Sequence, residues 1–366
     1  MKAAVLRSFD HDLMIEDVAL AAPRDREVLV RIRATGVCSS DLSTIRGKTG
    51  ADMPQIPGHE AAGIVEKIGA GVSKVKPGDR VVLSWAPNCG QCFYCQDSHP
   101  TLCDTYGAAA VSGGLWDQTS RLGPAQNPIK HYSCVSSFAE LAVVPEAGCI
   151  VIPDDVPFAV AALVGCAITT GFGAVINDAR VRPGDSVAVF GVGGVGINAL
   201  QAAALAGAET IVALDTNPTK AEVALQNGAT QFLNAADPDT PDRLRALTHG
   251  RGVDHAIECT GRPAAMSAAY AMTRPAGTVV IVGIAPKGTD LTIPAIGFPG
   301  SKKRLIGSIY GGGVPERDII RILSLYRLGR LRLDHQIGAR IALEQVNDAL
   351  RWLEQGVLAR TVIEFS

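Results

Sequence analysis

Residues 186–196 read Ser186-Val-Ala-Val-Phe190-Gly191-Val-Gly193-Gly194-Val195-Gly196. An Ala-rich stretch to Ala208 follows, then Thr210-Ile-Val-Ala-Leu-Asp215-Thr-Asn217. A short β-branched run, a G-x-G-x-x-G turn, a helical segment and a second β-branched run ending in an acid form a βαβ unit in the order that gives the glycine motif its meaning. The glycines permit a tight turn and close approach of a pyrophosphate, whose charge then sits at the helix N-terminus. Asp215, nineteen residues beyond Gly196, is placed to accept hydrogen bonds from an adenosine ribose and to repel a 2′-phosphate. No Arg stands beside it, so the reading is NAD rather than NADP. Without a ligand the same residues would be a glycine-rich turn with a surface aspartate, but strand, turn, helix, strand and acid in sequence favour the dinucleotide.

Working outward, short apolar runs at 256–259 and 278–282 extend this unit into a doubly wound parallel sheet. Before it, residues 26–33 and 63–68 alternate apolar and polar or charged side chains, and turn signals at Pro77-Gly78-Asp79 and Pro87-Asn88 punctuate an antiparallel β region. After about Tyr310 the chain is charged and helical over 318–328 and 343–355, and it ends on an alternating strand from Arg360. The expected fold is α/β, a β-rich domain built from both ends of the chain with the doubly wound domain inserted.

The 366 residues are 47% hydrophobic and 19% charged, with a formal charge of −2, which excludes extensive disorder and offers no basic field to nucleic acid or anionic membrane. Residues 158–176 and 186–208 carry no charge, yet they are rich in Gly and Ala, which favours interior elements over membrane spans. The N-terminus shows no secretory core. Nine cysteines without such a leader point to reduced thiols or metal ligands, and so to the cytoplasm.

Cys89-x-x-Cys92-x-x-Cys95-x7-Cys103 gathers four thiols within fifteen residues, enough to close a tetrahedral zinc shell with no open position. Zinc ribbons of nucleic-acid binders share the pattern, but the neutral charge argues against that use. A catalytic zinc needs three ligands and an open position. Cys38 and His59 stand out because Gly36-Val-Cys38-Ser-Ser40-Asp41 and Gly58-His59-Glu60 are polar islands in an apolar region, and Cys166 is a third candidate. Cys134, Cys149 and Cys259 read as packing residues. His11, His99, His131, His249, His255 and His335 show no ligand spacing and are expected at the surface.

These motifs, together with Val-Gly-Cys166-Ala-Ile-Thr-Thr170-Gly and the glycine turn, resemble the zinc-dependent medium-chain alcohol dehydrogenase family, its dimeric class I/III-like branch in particular. The resemblance implies a GroES-like catalytic domain over residues 1–167 and 310–366, and a Rossmann NAD-binding domain over 168–309. It implies two zinc ions per chain: one catalytic, on Cys38, His59 and Cys166, and one structural, on Cys89, Cys92, Cys95 and Cys103. Asp41 is then bonded to His59, Glu60 lies behind the metal, Ser40 relays a proton and Thr170 lies beside the nicotinamide. The cofactor is held by Gly191, Gly193, Gly194, Val195, Gly196 and Asp215, with Lys220, Arg262 and Arg360 at adenosine- and phosphate-contacting positions. The implied reaction is reversible oxidation of a primary aliphatic, allylic or aryl alcohol by hydride transfer from a zinc-bound alkoxide, in a pocket lined by Trp85 and Tyr132.

Two departures bear on this. Ser39 stands where many members carry a basic or histidine residue, which predicts weaker NAD binding, and Ser43 replaces the histidine that commonly ends the proton relay. Gly107 stands where thiol-adduct formaldehyde dehydrogenases carry an arginine, which lowers that alternative. The long loop 116–131 leans toward a homodimer. A non-catalytic dinucleotide-binding relative would be marked by loss of a ligand, and all three are present.

Overall fold

In the computed structural model, residues 1–48, 50, 52–356 and 360–366 are described. The chain forms two units, 1–167 with 314–366, and 168–313. The insert therefore runs four residues past the expected end at 309.

The inserted unit is a six-stranded parallel sheet in the order Gln231–Asn234, Thr210–Asp215, Ser186–Phe190, Val253–Glu258, Thr273–Ile281, Arg304–Gly307. The order reverses direction at Ser186–Phe190, the doubly wound switch point beyond whose carboxyl end ligands bind. Ala188, Val189, Val212, Ala213, Ala256 and Ile257 are fully buried, as strands covered on both faces should be. The helix Gly194–Leu205 starts within the glycine motif, so the uncharged stretch 186–208 resolves into a strand, a turn and a helix.

The other uncharged stretch, 158–176, lies in one helical run, Phe158–Ala179, in which five-residue and six-residue π segments (Val164–Ile168 and Ala174–Ala179) interrupt α-helix. By length and composition it could cross a membrane, but its most apolar window is 89% buried inside the protein, as expected of an interior helix.

The discontinuous unit is built on a seven-stranded, mostly antiparallel sheet. Its long strand Glu27–Val37 pairs with Glu60–Ile68, Leu141–Pro145 and the C-terminal strand Arg360–Glu364. The register Thr361↔Val37 and Gly36↔Glu60 brings three distant segments together beside Cys38. Two expectations fail here. His131 and His255 are buried, at 1% and 8% exposure: each is enclosed by contacts from distant residues, which no local pattern announces.

Candidate functional site

Cys38, His59 and Cys166 converge. Together with Glu60 their ligand atoms lie within 4.8 Å of one another, and all four residues are buried. Cys38 sits where the strand Glu27–Val37 ends and the helix Ser39–Ile45 begins. Its N–H donates to Asp41 Oδ2 at 2.9 Å, the return bond of an acid in a first helical turn. Asp41 is fully buried, and its Oδ1 also accepts from Gly58 N–H at 3.1 Å and faces His59 Nδ1 at 3.0 Å. A proton held on Nδ1 by that carboxylate leaves the Nε2 lone pair free for a metal. Cys166 lies in the first π segment, a helical irregularity common at functional sites. Beside it a Cβ on Gly165 would stand 2.9 Å from Leu83 O, so only glycine lets the helix press onto the neighbouring strand.

Glu60 is fully buried. Oε1 accepts from Ala167 N–H at 3.3 Å, and Oε2 is paired with the Arg360 guanidinium. Arg360 is thus a buried partner of Glu60 in this unit, and its Nε meets no partner among the described residues. Ser40 Oγ is 3.9 Å from Cys38 Sγ. Tyr132 packs edge-on to the His59 ring at 5.4 Å and Trp85 at 6.5 Å, so both aromatics flank the ligand set. Tyr132 Oη accepts from Thr44 Oγ1 at 3.3 Å.

The electrostatics suit a cation. The hydrogen bond between Cys38 and Cys166 lowers the Cys38 thiol and raises the Cys166 thiol, with burial acting against both thiolates. One sulfur thus carries the charge. Burial opposes a charged His59, but Asp41 and Cys38 outweigh it and lift the imidazole to about 10. A donor set that draws a proton this strongly is also one that a Zn²⁺ can occupy in the proton's stead.

The four-cysteine lobe has matching geometry. Cys92 Sγ and Cys103 Sγ are 3.8 Å apart, and Cys89 Sγ and Cys95 Sγ 4.0 Å, close to the edge of about 3.8 Å of a tetrahedron with Zn–S bonds of about 2.3 Å. Backbone N–H groups of Gln91 and Cys92 donate to Cys89 Sγ at 3.5 and 3.3 Å. Burial raises the Cys89 thiol, but bonds from Thr105 and these amides bring it down to about 6. All nine cysteines are free thiols.

In the inserted unit Gly191 has φ 95°, and a Cβ on Gly196 would lie 1.8 Å from Gly191 O; both positions require glycine. A Cβ on Gly193 would meet nothing within 4 Å, so a ligand can approach the backbone there. The first-turn amides of Gly194, Val195 and Gly196 have no acceptor within their own helix. Asp215 Oδ2 accepts from Val192 N–H at 2.8 Å and Lys220 Nζ at 3.0 Å, and Oδ1 from Asn217 N–H at 3.0 Å. Burial works against the Asp215 carboxylate, but these bonds hold it below the usual range. Thr170 is buried at 8% exposure, and Gly171 next to it fits against Val195 O with no room for a Cβ. Arg262 is exposed at the start of the helix Pro263–Met272.

Glu258 stands in no sequence motif. It is fully buried at the carboxyl end of a central strand and accepts the N–H groups of Thr260 and Gly261 at 2.7 and 3.1 Å. It thereby shapes the loop whose Thr260 packs under Gly191. A buried acid ending a parallel strand at the switch point is the signal that could have found it.

A family model described as zinc-binding dehydrogenase matches residues 194–326, and one described as alcohol dehydrogenase GroES-like domain matches residues 24–154. An NDMA-dependent alcohol dehydrogenase of Amycolatopsis methanolica is 37% identical over 368 residues, spanning 100% of this chain and 99% of its own. Among solved structures, an alcohol dehydrogenase zinc-binding domain protein from Burkholderia ambifaria matches with a TM-score of 0.94 at 35% identity, covering 100% of this chain and 98% of that one. Benzyl alcohol dehydrogenase from Acinetobacter calcoaceticus matches with a TM-score of 0.94 at 30% identity, covering 100% and 99%.

Proposed function

The chain belongs to the zinc-dependent medium-chain alcohol dehydrogenase family, and from that premise we propose that it oxidises a primary aliphatic, allylic or aryl alcohol reversibly to the aldehyde, with NAD as the hydride acceptor. The observation that carries this reading is the buried convergence of Cys38, His59 and Cys166, with Asp41 orienting His59. When bound, zinc supplies Lewis acidity that lets an alcohol lose its proton near neutral pH, and NAD supplies the carbon that takes the hydride.

The chain's own residues do the rest. Cys38, His59 and Cys166 would hold the catalytic ion, and the four sulfurs of the lobe the structural one. Asp41 fixes the His59 tautomer through Nδ1. Ser40 Oγ receives the alcohol's proton and passes it toward water, since Ser43 offers no imidazole to continue the relay. Trp85 and Tyr132 give the substrate apolar walls and exclude water from the reacting atoms. Gly191 to Gly196 receive the pyrophosphate, Asp215 with Lys220 the adenosine ribose, and Thr170 the nicotinamide. Arg262 supplies further positive charge, whereas the Arg360 charge is taken by Glu60. A homodimer through the inserted unit is supported by its open edge strand Arg304–Gly307 and by exposed Ile284, Ile296 and Phe298. Nine free thiols suit a reducing compartment.

The Amycolatopsis relative's name ties it to NDMA, so the acceptor must be part of the test. Initial rates would be measured for aliphatic, allylic and benzylic alcohols, and for formaldehyde with thiol carriers, against NAD, NADP and NDMA. Turnover of alcohols with NAD, lost in Cys166→Ala with the fold intact, is expected. Turnover with NDMA alone would replace exchangeable NAD by a tightly held cofactor. A fully active Cys166→Ala would overturn the ligand assignment.

A further inference from the structure

A cavity of about 260 Å³ opens in the inserted unit among residues at the amino ends of its strands, the opposite end from the glycine turn. Four guanidinium groups, of Arg180, Arg182, Arg274 and Arg304, line it against two carboxylates, of Asp185 and Asp254. Both carboxylates are already spent. Asp254 takes Ser186 N–H at 2.8 Å, Ser186 Oγ–H at 2.6 Å and the Arg274 Nε–H. Asp185 Oδ2 takes Arg182 N–H at 2.8 Å and faces His255 Nε2 at 2.9 Å.

Arg274 is paired with Asp254, and the other three guanidinium charges find no carboxylate among the described residues. Among the described residues Arg182 and Arg304 make no ion pair; Arg304 Nε–H donates only to the neutral Thr278 Oγ1 at 3.1 Å. Arg180 Nε–H donates to the Asn177 carbonyl at 3.3 Å, and its charge also stays unpaired. His255 also lines the cavity, at 8% exposure, and its Nδ1 is buried with no partner among the described residues.

Fork-shaped donors around a concave site recognise phosphate and carboxylate oxygens, often two at a time. The volume lies just below the range of about 300–1,000 Å³ typical of drug-sized ligands, which fits an ion of a few heavy atoms and not a nucleotide. We propose that this cavity is a second ligand site, separate from the dinucleotide turn, for a small multivalent oxyanion bearing phosphate or carboxylate groups.

The test is calorimetry on the full-length protein saturated with dinucleotide, so that the glycine turn is closed to competing anions. Inorganic pyrophosphate and citrate are the probes, against wild type and an Arg180→Gln/Arg182→Gln double variant, whose exposed positions lie outside the edge strand and leave the core untouched. Binding of one equivalent is expected, weakened about tenfold or more in the double variant, with the His255 imidazole resonance of the wild type shifting during the titration. Whichever probe binds more tightly assigns the phosphate or the carboxylate. No binding of either anion, equal affinity in the double variant, or binding that leaves the His255 resonance unmoved would each overturn the site.

Discussion

At Gly36 an added methyl would stand 2.1 Å from Glu60 Oε2 and 2.7 Å from the Leu163 side chain. Gly36→Ala must therefore displace the carboxylate that holds Arg360, and it is expected to cost about 1–3 kcal/mol and to lower zinc retention; thermal unfolding and metal analysis of the purified variant read both. Asp41→Asn keeps the size of the group but removes the charge that fixes the His59 proton, so metal affinity should fall about 10- to 100-fold. Zinc release to a chelator measures this, and unchanged release would remove Asp41 from the role. Asp215→Ser would leave Lys220 without its carboxylate, turning a ribose-binding pair into a phosphate-attracting cation. The NAD-to-NADP ratio of kcat/KM is expected to fall by about tenfold or more. Cys38 and His59 were visible in the sequence inside short polar motifs and Cys166 through the family resemblance, whereas Gly36 looked like part of the Cys38 motif and Glu258 like nothing in particular. Their importance lies in contacts with residues distant in the chain, which spacing does not encode.

At the scale of elements, local periodicity located the strands and helices well, because burial on one or both faces leaves a pattern of period two, a continuous apolar run or a helical stripe. The irregular loop 116–131 leaves none. It is pinned by Arg121, fully shielded with Glu27 and bonded to it through Nε at 2.8 Å, and by His131, whose Nε2 accepts from Arg121 N–H at 3.1 Å. Burial, reinforced by the Arg121 charge, pushes His131 down to about 3 from 6.5. The folded protein keeps this imidazole neutral while the unfolded chain protonates it near 6.5. The associated stability is whole above pH 6.5 and drains as pH falls toward 3, at up to about 1.4 kcal/mol per unit. Denaturant unfolding across that window should show a shallower slope for His131→Asn, and an identical slope would mean that another group carries the acid sensitivity. The expectation that His131 lies at the surface failed for the same reason that Arg121 drew no notice: one polar residue in a loop has no period.

For the whole molecule, the doubly wound half was legible because all its strands lie within one continuous stretch, while the half holding the metal ligands is assembled from both ends of the chain. Strand Arg360–Glu364 pairs along Glu27–Val37, with Ile363 opposite Thr35 and Thr361 opposite Val37, and Arg360 reaches the carboxylate of Glu60. A chain cut after residue 335 still contains Cys38, His59, Glu60 and Cys166, yet it is expected to hold no zinc on them; metal analysis of that truncation beside the full-length protein decides the matter. The pairing also sets an order of events during synthesis. Cys38, His59 and Cys166 all precede the inserted unit in the chain, whereas the strand that closes their sheet follows it. Stable metal capture is thereby expected only once the segment from residue 360 has been made and has paired, and a chain broken off before that point is expected to lose the ion.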